Sequence, residues 1–183
     1  MPKDYVYFDL ETQRSANDVG GWGNKGAMGM SIGVTYSTRS GKYIIYGEDQ
    51  VGDLIDQILA ADLVIGFNHI SFDYGVLEGY RPVILAEQCL SLDLMVEIEE
   101  KIGHRLKLES IATASLGMGK SAMGLDAIKW WQEGKIMEIA EYCCYDVKVT
   151  KEVHEYGVKY GHVRYIDRFG GEHKAEVDWH LPE

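Results

Sequence analysis

Cysteine is scarce in this chain: Cys89, Cys143 and Cys144 are the only three. The count is odd and two are adjacent, which excludes a disulfide framework, and the spacing suits no zinc site. All three are expected to be packing residues in a reducing compartment. Long apolar runs are missing too; none approaches the ~18–20 residues needed to span a bilayer. The first residues, Met1-Pro2-Lys3-Asp4, run directly into Tyr5-Val6-Tyr7-Phe8 without the basic region, apolar stretch and cleavage site of a secretory signal. A soluble cytoplasmic protein with no membrane partner is expected. Basic charge is short as well, with 18 Lys and Arg against 29 Asp and Glu, a formal charge of -11. That balance argues against wrapping duplex nucleic acid over the whole surface. It leaves room for a local site, and for carboxylates that hold cations. There is no Gly-x-Ser-x-Gly elbow, P-loop or dinucleotide fingerprint.

What is present is an ordinary globular composition, 46% hydrophobic over 183 residues, enough for one domain with a real core. Strands are expected at Tyr5–Leu10, Met30–Tyr36 and Tyr43–Tyr46, the last two joined through Ser40-Gly41 as a hairpin. A glycine-rich stretch, Thr12–Gly29, reads as a loop with Trp22 as an anchor. The period then turns helical at Val51, Leu54, Ile55, Ile58 and Leu59. Ala61–Phe67 reads as a buried strand, Phe72–Gly79 as a short helix and Val83–Leu85 as another short strand. Leu92–Ile98 fits either state. Helices follow at Leu106–Leu116, Leu125–Trp131 and Ile136–Tyr156. Val163–Ile166 and Ala175–Trp179 can pair across Gly170-Gly171. The expected fold class is α/β. Antiparallel hairpin strands come first in a mixed central sheet, parallel strands follow, helices flank it, and a C-terminal hairpin is added. Residues 1–160 form the domain and 161–183 a hairpin extension of it.

Three stretches carry chemistry. Asp9 and Glu11 are two apart on a strand, so both carboxylates share a face and Leu10 takes the other. The segment Gly66-Phe67-Asn68-His69-Ile70-Ser71-Phe72-Asp73 begins where a buried strand ends, the usual place for ligand sites in such sheets. Asn68 can donate and accept, Asp73 can ligate a hard cation or cap a helix, and His69 reads as a polar loop residue. Tyr142 and Asp146 are four apart on the long helix and share a face. That face also holds Ile139, Val149 and Val153, an awkward setting for a carboxylate unless a cation compensates it. Gathered at one sheet edge, Asp9, Glu11, Asp73 and Asp146 could hold two Mg²⁺ or Mn²⁺ ions for phosphodiester hydrolysis. A phenol is a poor base at neutral pH, so Tyr142 is better suited to orienting a water.

Phe8-Asp9-Leu10-Glu11-Thr12, Gly66-Phe67-Asn68 through Phe72-Asp73, and Tyr142-Cys143-Cys144-Tyr145-Asp146 occur in the order of the three motifs of the DEDD 3′–5′ exonucleases. The chain resembles that family of the ribonuclease-H-like fold, in its tyrosine-bearing subclass. The style is closest to proofreading domains of family B DNA polymerases and to standalone ribonuclease-H-like proteins. The resemblance covers residues 5 to about 150. It implies a ribonuclease-H-like fold and a 3′–5′ exonuclease. Asp9, Glu11, Asp73 and Asp146 would hold two divalent ions, and Tyr142 would place the attacking water. Asn68 and Phe72 would meet the terminal nucleotides, with Thr12 near the 3′ end. The Thr12–Gly29 stretch, readable as a lid, and the tail hairpin depart from the pattern.

Lys101, His104, Arg105 and Lys107 form a small basic cluster, extended by Lys120, Lys129 and Lys135 if the helices fold back. Arg105 and Lys107 are candidate phosphate contacts; a solvated face amid Glu97, Glu99, Glu100 and Glu109 is the plainer alternative. Trp130 and Trp131 are adjacent on a helix, so one is expected in the core and one at a rim. The expected partner is the 3′ end of single-stranded DNA or RNA, with a helicase or other nucleic-acid-processing protein as a further partner. Two rival readings share the fold: a non-catalytic nucleic-acid-binding or helicase-associated scaffold, and a structure-specific endonuclease on the same metal platform.

Overall fold

The computed structural model describes residues 2–118 and 124–181. Among the described residues three strands come first, strands and helices then mix, and a two-strand hairpin follows the last helix. β1 (Tyr5–Thr12) lies in the middle of a five-stranded sheet with the order β3-β2-β1-β4-β5. β2 (Met30–Ser37) and β3 (Lys42–Gly47) run antiparallel to their neighbours. β4 (Leu63–Gly66) and β5 (Ser91–Asp93) run parallel to β1. The sheet is therefore mixed, hairpin strands first and parallel strands after, as its α/β order implies.

The period-two alternation of β1 sorts its side chains between two cores. Phe8 and Leu10 enter a cluster with Leu54, Ile55 and Ile58 of α1 (Val51–Ala60) and Tyr74, Val76 and Leu77 of α2 (Asp73–Leu77). Tyr7 faces the opposite cluster, where α7 (Ile136–Tyr160) packs across β1 and β2. Each fully buried aliphatic or aromatic side chain contributes ~1.5–3 kcal/mol, so both faces of β1 are strongly specified. Asp9 and Glu11, on the Tyr7 side, escape full burial because they lie beyond the edge of that core.

Several sequence expectations shift. Val83–Leu85 forms no strand. The sheet edge is taken by β5, and Leu85 starts the short helix α3 (Leu85–Gln88). Leu92–Ile98 is both states in succession, because Asp93 ends β5 and caps α4 (Leu94–Ile102) through Met95 N and Val96 N. α5 (Leu108–Leu116) and α6 (Gly124–Gln132) follow. The Thr12–Gly29 stretch is mostly irregular, with a 3₁₀ segment at Trp22–Ala27. The tail hairpin is β6 (His162–Ile166) against β7 (Glu172–Glu176). Beyond it, Val177 and Trp179 leave the ladder and plug the α7-side core. Trp130 and Trp131 do not divide into one core and one rim residue: both are half-buried against the same cluster. None of the described helices is long and apolar enough to cross a membrane.

Candidate active site

β1 outruns its parallel neighbour. Its pairing with β4 stops at Tyr7↔Ile65, whereas pairing with β2 continues to Thr12. The carboxyl-terminal half of β1 thus has a free flank toward β4, and α2 fills it. Leu10 N donates to Asp73 Oδ1 at 3.1 Å, so a carboxylate takes the place of the missing strand. Asp73 is 3% exposed. Burial pushes its carboxyl up to about 8, against the pull of the Leu10 hydrogen bond.

Asp9 and Glu11 stand on the α7 side of the same half-strand, and helix α7 completes the group. One ligand atom each from Asp9, Glu11 and Cys143 lie within 4.8 Å of one another. Burial pushes Asp9 and Glu11 well above the usual carboxylate range. Asp73 and Asp146 raise both further, and Glu11 adds to the effect on Asp9. Asp146 is raised to about 6 by burial, against a hydrogen bond donated by the Tyr142 hydroxyl. Among the described residues no ion pair reaches any of the four acids. Four crowded carboxylates without a basic partner are a donor set suited to hard divalent cations, which remove the repulsion and supply the missing charge. Burial and the acids also raise the Tyr142 phenol, which keeps it protonated and able to donate.

The sequence matches no protein-family model, and no curated protein matches it. Among solved structures it is similar to the family B DNA polymerase of the hyperthermophilic archaeon Pyrobaculum calidifontis, at 14% identity with a TM-score of 0.65. The match takes in 86% of this chain and 25% of that one, so the chain spans about a quarter of the polymerase's length. The fold is ribonuclease-H-like. In that fold Asp9 and Glu11 stand in the carboxyl-terminal half of the central strand, and a cleft of about 530 Å³ opens beside Glu11. Glu11, Thr12, Arg14, Trp22, Phe72 and Ile128 are among its walls. Thr12 is nearly buried and donates to Arg14 O at 3.0 Å. The rings of Trp22 and Phe72 meet edge to face at 6.1 Å and divide this cleft from a second recess of about 280 Å³, lined by Lys25, Asn68, Ser71 and Arg105 as well.

Asn68 adopts a left-handed backbone, φ 62°, and its Oδ1 accepts from Arg105 Nη2 at 2.6 Å. Asn68, Phe72 and Arg105 thus meet at one wall. Lys107 does not join them. It is exposed at the start of α5 and lines a different groove. Lys129 and Lys135 both pair with Glu133, and Lys120 lies outside the described residues.

His69 lies in the loop between β4 and α2, as expected, but it does not face solvent. It is fully buried, tucked under Gly66, where any Cβ would fall within 2.7 Å of its ring. Desolvation lowers it to about 4, so it stays neutral, 3.6 Å from Asp93. Asp93 is a residue that sequence reasoning missed. Its carboxylate accepts from Asn68 N at 2.8 Å and Ile70 N at 3.1 Å while capping α4. One buried side chain thereby fixes the whole turn that aims Asn68. The signal was an Asp directly before an apolar helical run, an N-cap pattern. Cys143 was read as packing alone. It packs, and its thiol also donates toward Asp9 Oδ2 at 3.6 Å.

Proposed function

We propose that the chain is a 3′–5′ exonuclease that hydrolyses phosphodiester bonds at single-stranded nucleic-acid ends with two divalent metal ions, Mg²⁺ or Mn²⁺. The observation that carries this reading is the set of four uncompensated carboxylates from β1, α2 and α7, with Tyr142 one turn from Asp146 and Glu11 in the wall of an open cleft. Asp9, Glu11, Asp73 and Asp146 would hold the ions. Once bound, these would neutralise charge on the phosphoryl and leaving oxygens and make water a stronger nucleophile.

The protein's own groups supply the rest. The Tyr142 hydroxyl, hydrogen-bonded to Asp146, would orient the water that attacks phosphorus as the bond to the 3′ oxygen breaks. Trp22 and Phe72 offer aromatic edges and faces to the terminal bases, a contact tolerant of sequence. Asn68, held by Asp93 and Arg105, offers a polar group at the same wall. The cleft suits one strand better than an intact duplex, because the acids are crowded and the surface carries net negative charge.

The test is cleavage of end-labelled single strands of DNA and RNA, linear and circular, with Mg²⁺ or Mn²⁺. Stepwise loss from the 3′ end of linear strands, with circles untouched, is expected. Asp9→Ala and Asp146→Ala should abolish it, and Tyr142→Phe should slow it while metal binding persists. Intact linear substrate that is nonetheless bound would mean that catalysis is not the role; cut circles would mean an endonuclease.

A further inference from the structure

The tail hairpin and the segment leading into α5 enclose a groove of about 730 Å³, separate from the carboxylate cleft. His104, Arg105, Lys107, Arg168 and Phe169 line it. Phe169 is 83% exposed, and the Arg168 guanidinium lies over its ring at 4.7 Å. The groove is preformed. Ser110 Oγ donates to Ile166 O at 2.8 Å and accepts from Ile166 N at 3.0 Å, and Ser115 binds Arg164 O and N in the same way. Two serines of α5 thus pin strand β6 in place. Two acids stand near. Asp167 lines the groove, but its carboxylate is taken by Phe169 N, Gly171 N and His173; Glu99 lies 3.7 Å from Arg105.

Arg105 lines both this groove and the Asn68 recess, so the two adjoin at its side chain. In a chain of net charge -11, cations grouped around an exposed aromatic ring and leading away from the catalytic cleft match a single strand. Cations meet phosphates without reading sequence, and an aromatic face takes any base.

We propose that this groove carries the nucleotides upstream of the 3′ end, with phosphates on Arg105, Lys107 and Arg168 and a base stacked on Phe169. The proposal rests on the exonuclease reading of the carboxylate cleft and adds to it a path for the strand. It predicts that substrate affinity rises with strand length, although the reacting end is the same.

The experiment compares thymidine 5′-(p-nitrophenyl phosphate), which fills only the cleft, with an oligothymidylate of about 12 nucleotides. Phe169→Ala and Arg168→Gln should leave hydrolysis of the small ester unchanged and raise KM for the long strand about fivefold or more. Arg168→Gln should also reduce the salt slope of long-strand binding by about 0.7. Equal loss on both substrates, or no change on the long one, overturns the groove. If the wild type hydrolyses neither, the exonuclease reading fails and the groove is read separately, by fluorescence anisotropy of labelled trinucleotide and long strand in calcium. Selective weakening of the long strand in the two variants supports it; equal binding overturns it. Binding of a glutamate-rich peptide in place of the strand, lost in the same variants, would assign the groove to an acidic protein segment and overturn it too.

Discussion

Crowding carboxylates into a partly dry cleft has a thermodynamic consequence. Folded Asp73 keeps its proton up to about pH 8, whereas the unfolded chain releases it near 3.8. Between those values the folded state binds more protons, so stability falls as pH rises and levels off above the folded value. Asp9 and Glu11 are shifted in the same direction. Buried histidines act oppositely, but only lower down: His69 falls to about 4 from 6.5, and His154 is lowered by burial. Above about pH 6.5 both are neutral folded or unfolded, and the carboxylates dominate. One proton corresponds to about 1.4 kcal/mol per pH unit. From pH 6.5 to 8, Asp73 alone therefore costs the metal-free protein about 2 kcal/mol, or about 4–8 °C in Tm. A divalent ion at one hundred times its dissociation constant should return about 2.7 kcal/mol. The assay is calorimetric melting at the two pH values, with chelator and with Mn²⁺. Asp73→Asn should melt higher than wild type at pH 8 without metal, lose its share of the pH dependence, and gain less from Mn²⁺. A metal-free wild type as stable at pH 8 as at 6.5, or one that Mn²⁺ leaves unmoved, would refute the reasoning.

Gly157→Ala would place a Cβ 2.4 Å from Trp179 Cε3, and overpacking of this kind costs about 1–3 kcal/mol; urea melts followed by tryptophan fluorescence should show both the loss and a displaced indole. Tyr7→Phe removes the hydroxyl that donates to His154 Nδ1 at 2.8 Å, while Nε2 still donates to Trp179 O. A buried acceptor left unpaired costs about 1–3 kcal/mol, visible in the same melts, with cleavage per folded molecule unchanged. At Gly79 a Cβ would meet the Gly26 carbonyl oxygen at 2.2 Å, so Gly79→Ala must push the Trp22 segment off α2. KM for oligonucleotides should rise more than kcat falls; an unchanged KM would mean that Trp22 does not hold substrate.

The carboxylate pair on β1 was legible because strand geometry alone puts Asp9 and Glu11 on one face. The sheet was legible because the hydrophobic runs change character from hairpin to buried strand. What the sequence hid was set by contacts distant along the chain. Val83–Leu85 has strand composition, but the edge beside β4 belongs to β5. The burial of His69 in its loop is not legible until the missing Cβ of Gly66 is seen to admit its ring. Lys107 reads as a neighbour of Arg105, two residues apart, and both line the groove beside the tail hairpin, but only Arg105 of the two also reaches back to Asn68. Spacing cannot tell a residue that reaches the Asn68 turn from one that does not when the intervening backbone is irregular.

The long helix shows how a functional pair can sit against a core without belonging to it. Reading Asp146 in the packing stripe made it an expensive buried charge. Its companions Ile139, Val149 and Val153 are indeed buried, and beside them runs a second buried stripe through Cys143, Val147, Thr150 and His154, at helical intervals of three or four. Tyr142 and Asp146 each precede a member of that stripe by one residue, which rotates them about 100° away on a helix of 3.6 residues per turn. They remain half-buried, on the border where core gives way to cleft. The same spacing that seats Cys143 and Val147 against the sheet thus sets the Tyr142–Asp146 pair beside Asp9. A shift of one residue in the register of α7 would bury the acid and expose the thiol, so packing of the helix and assembly of the site are a single structural requirement.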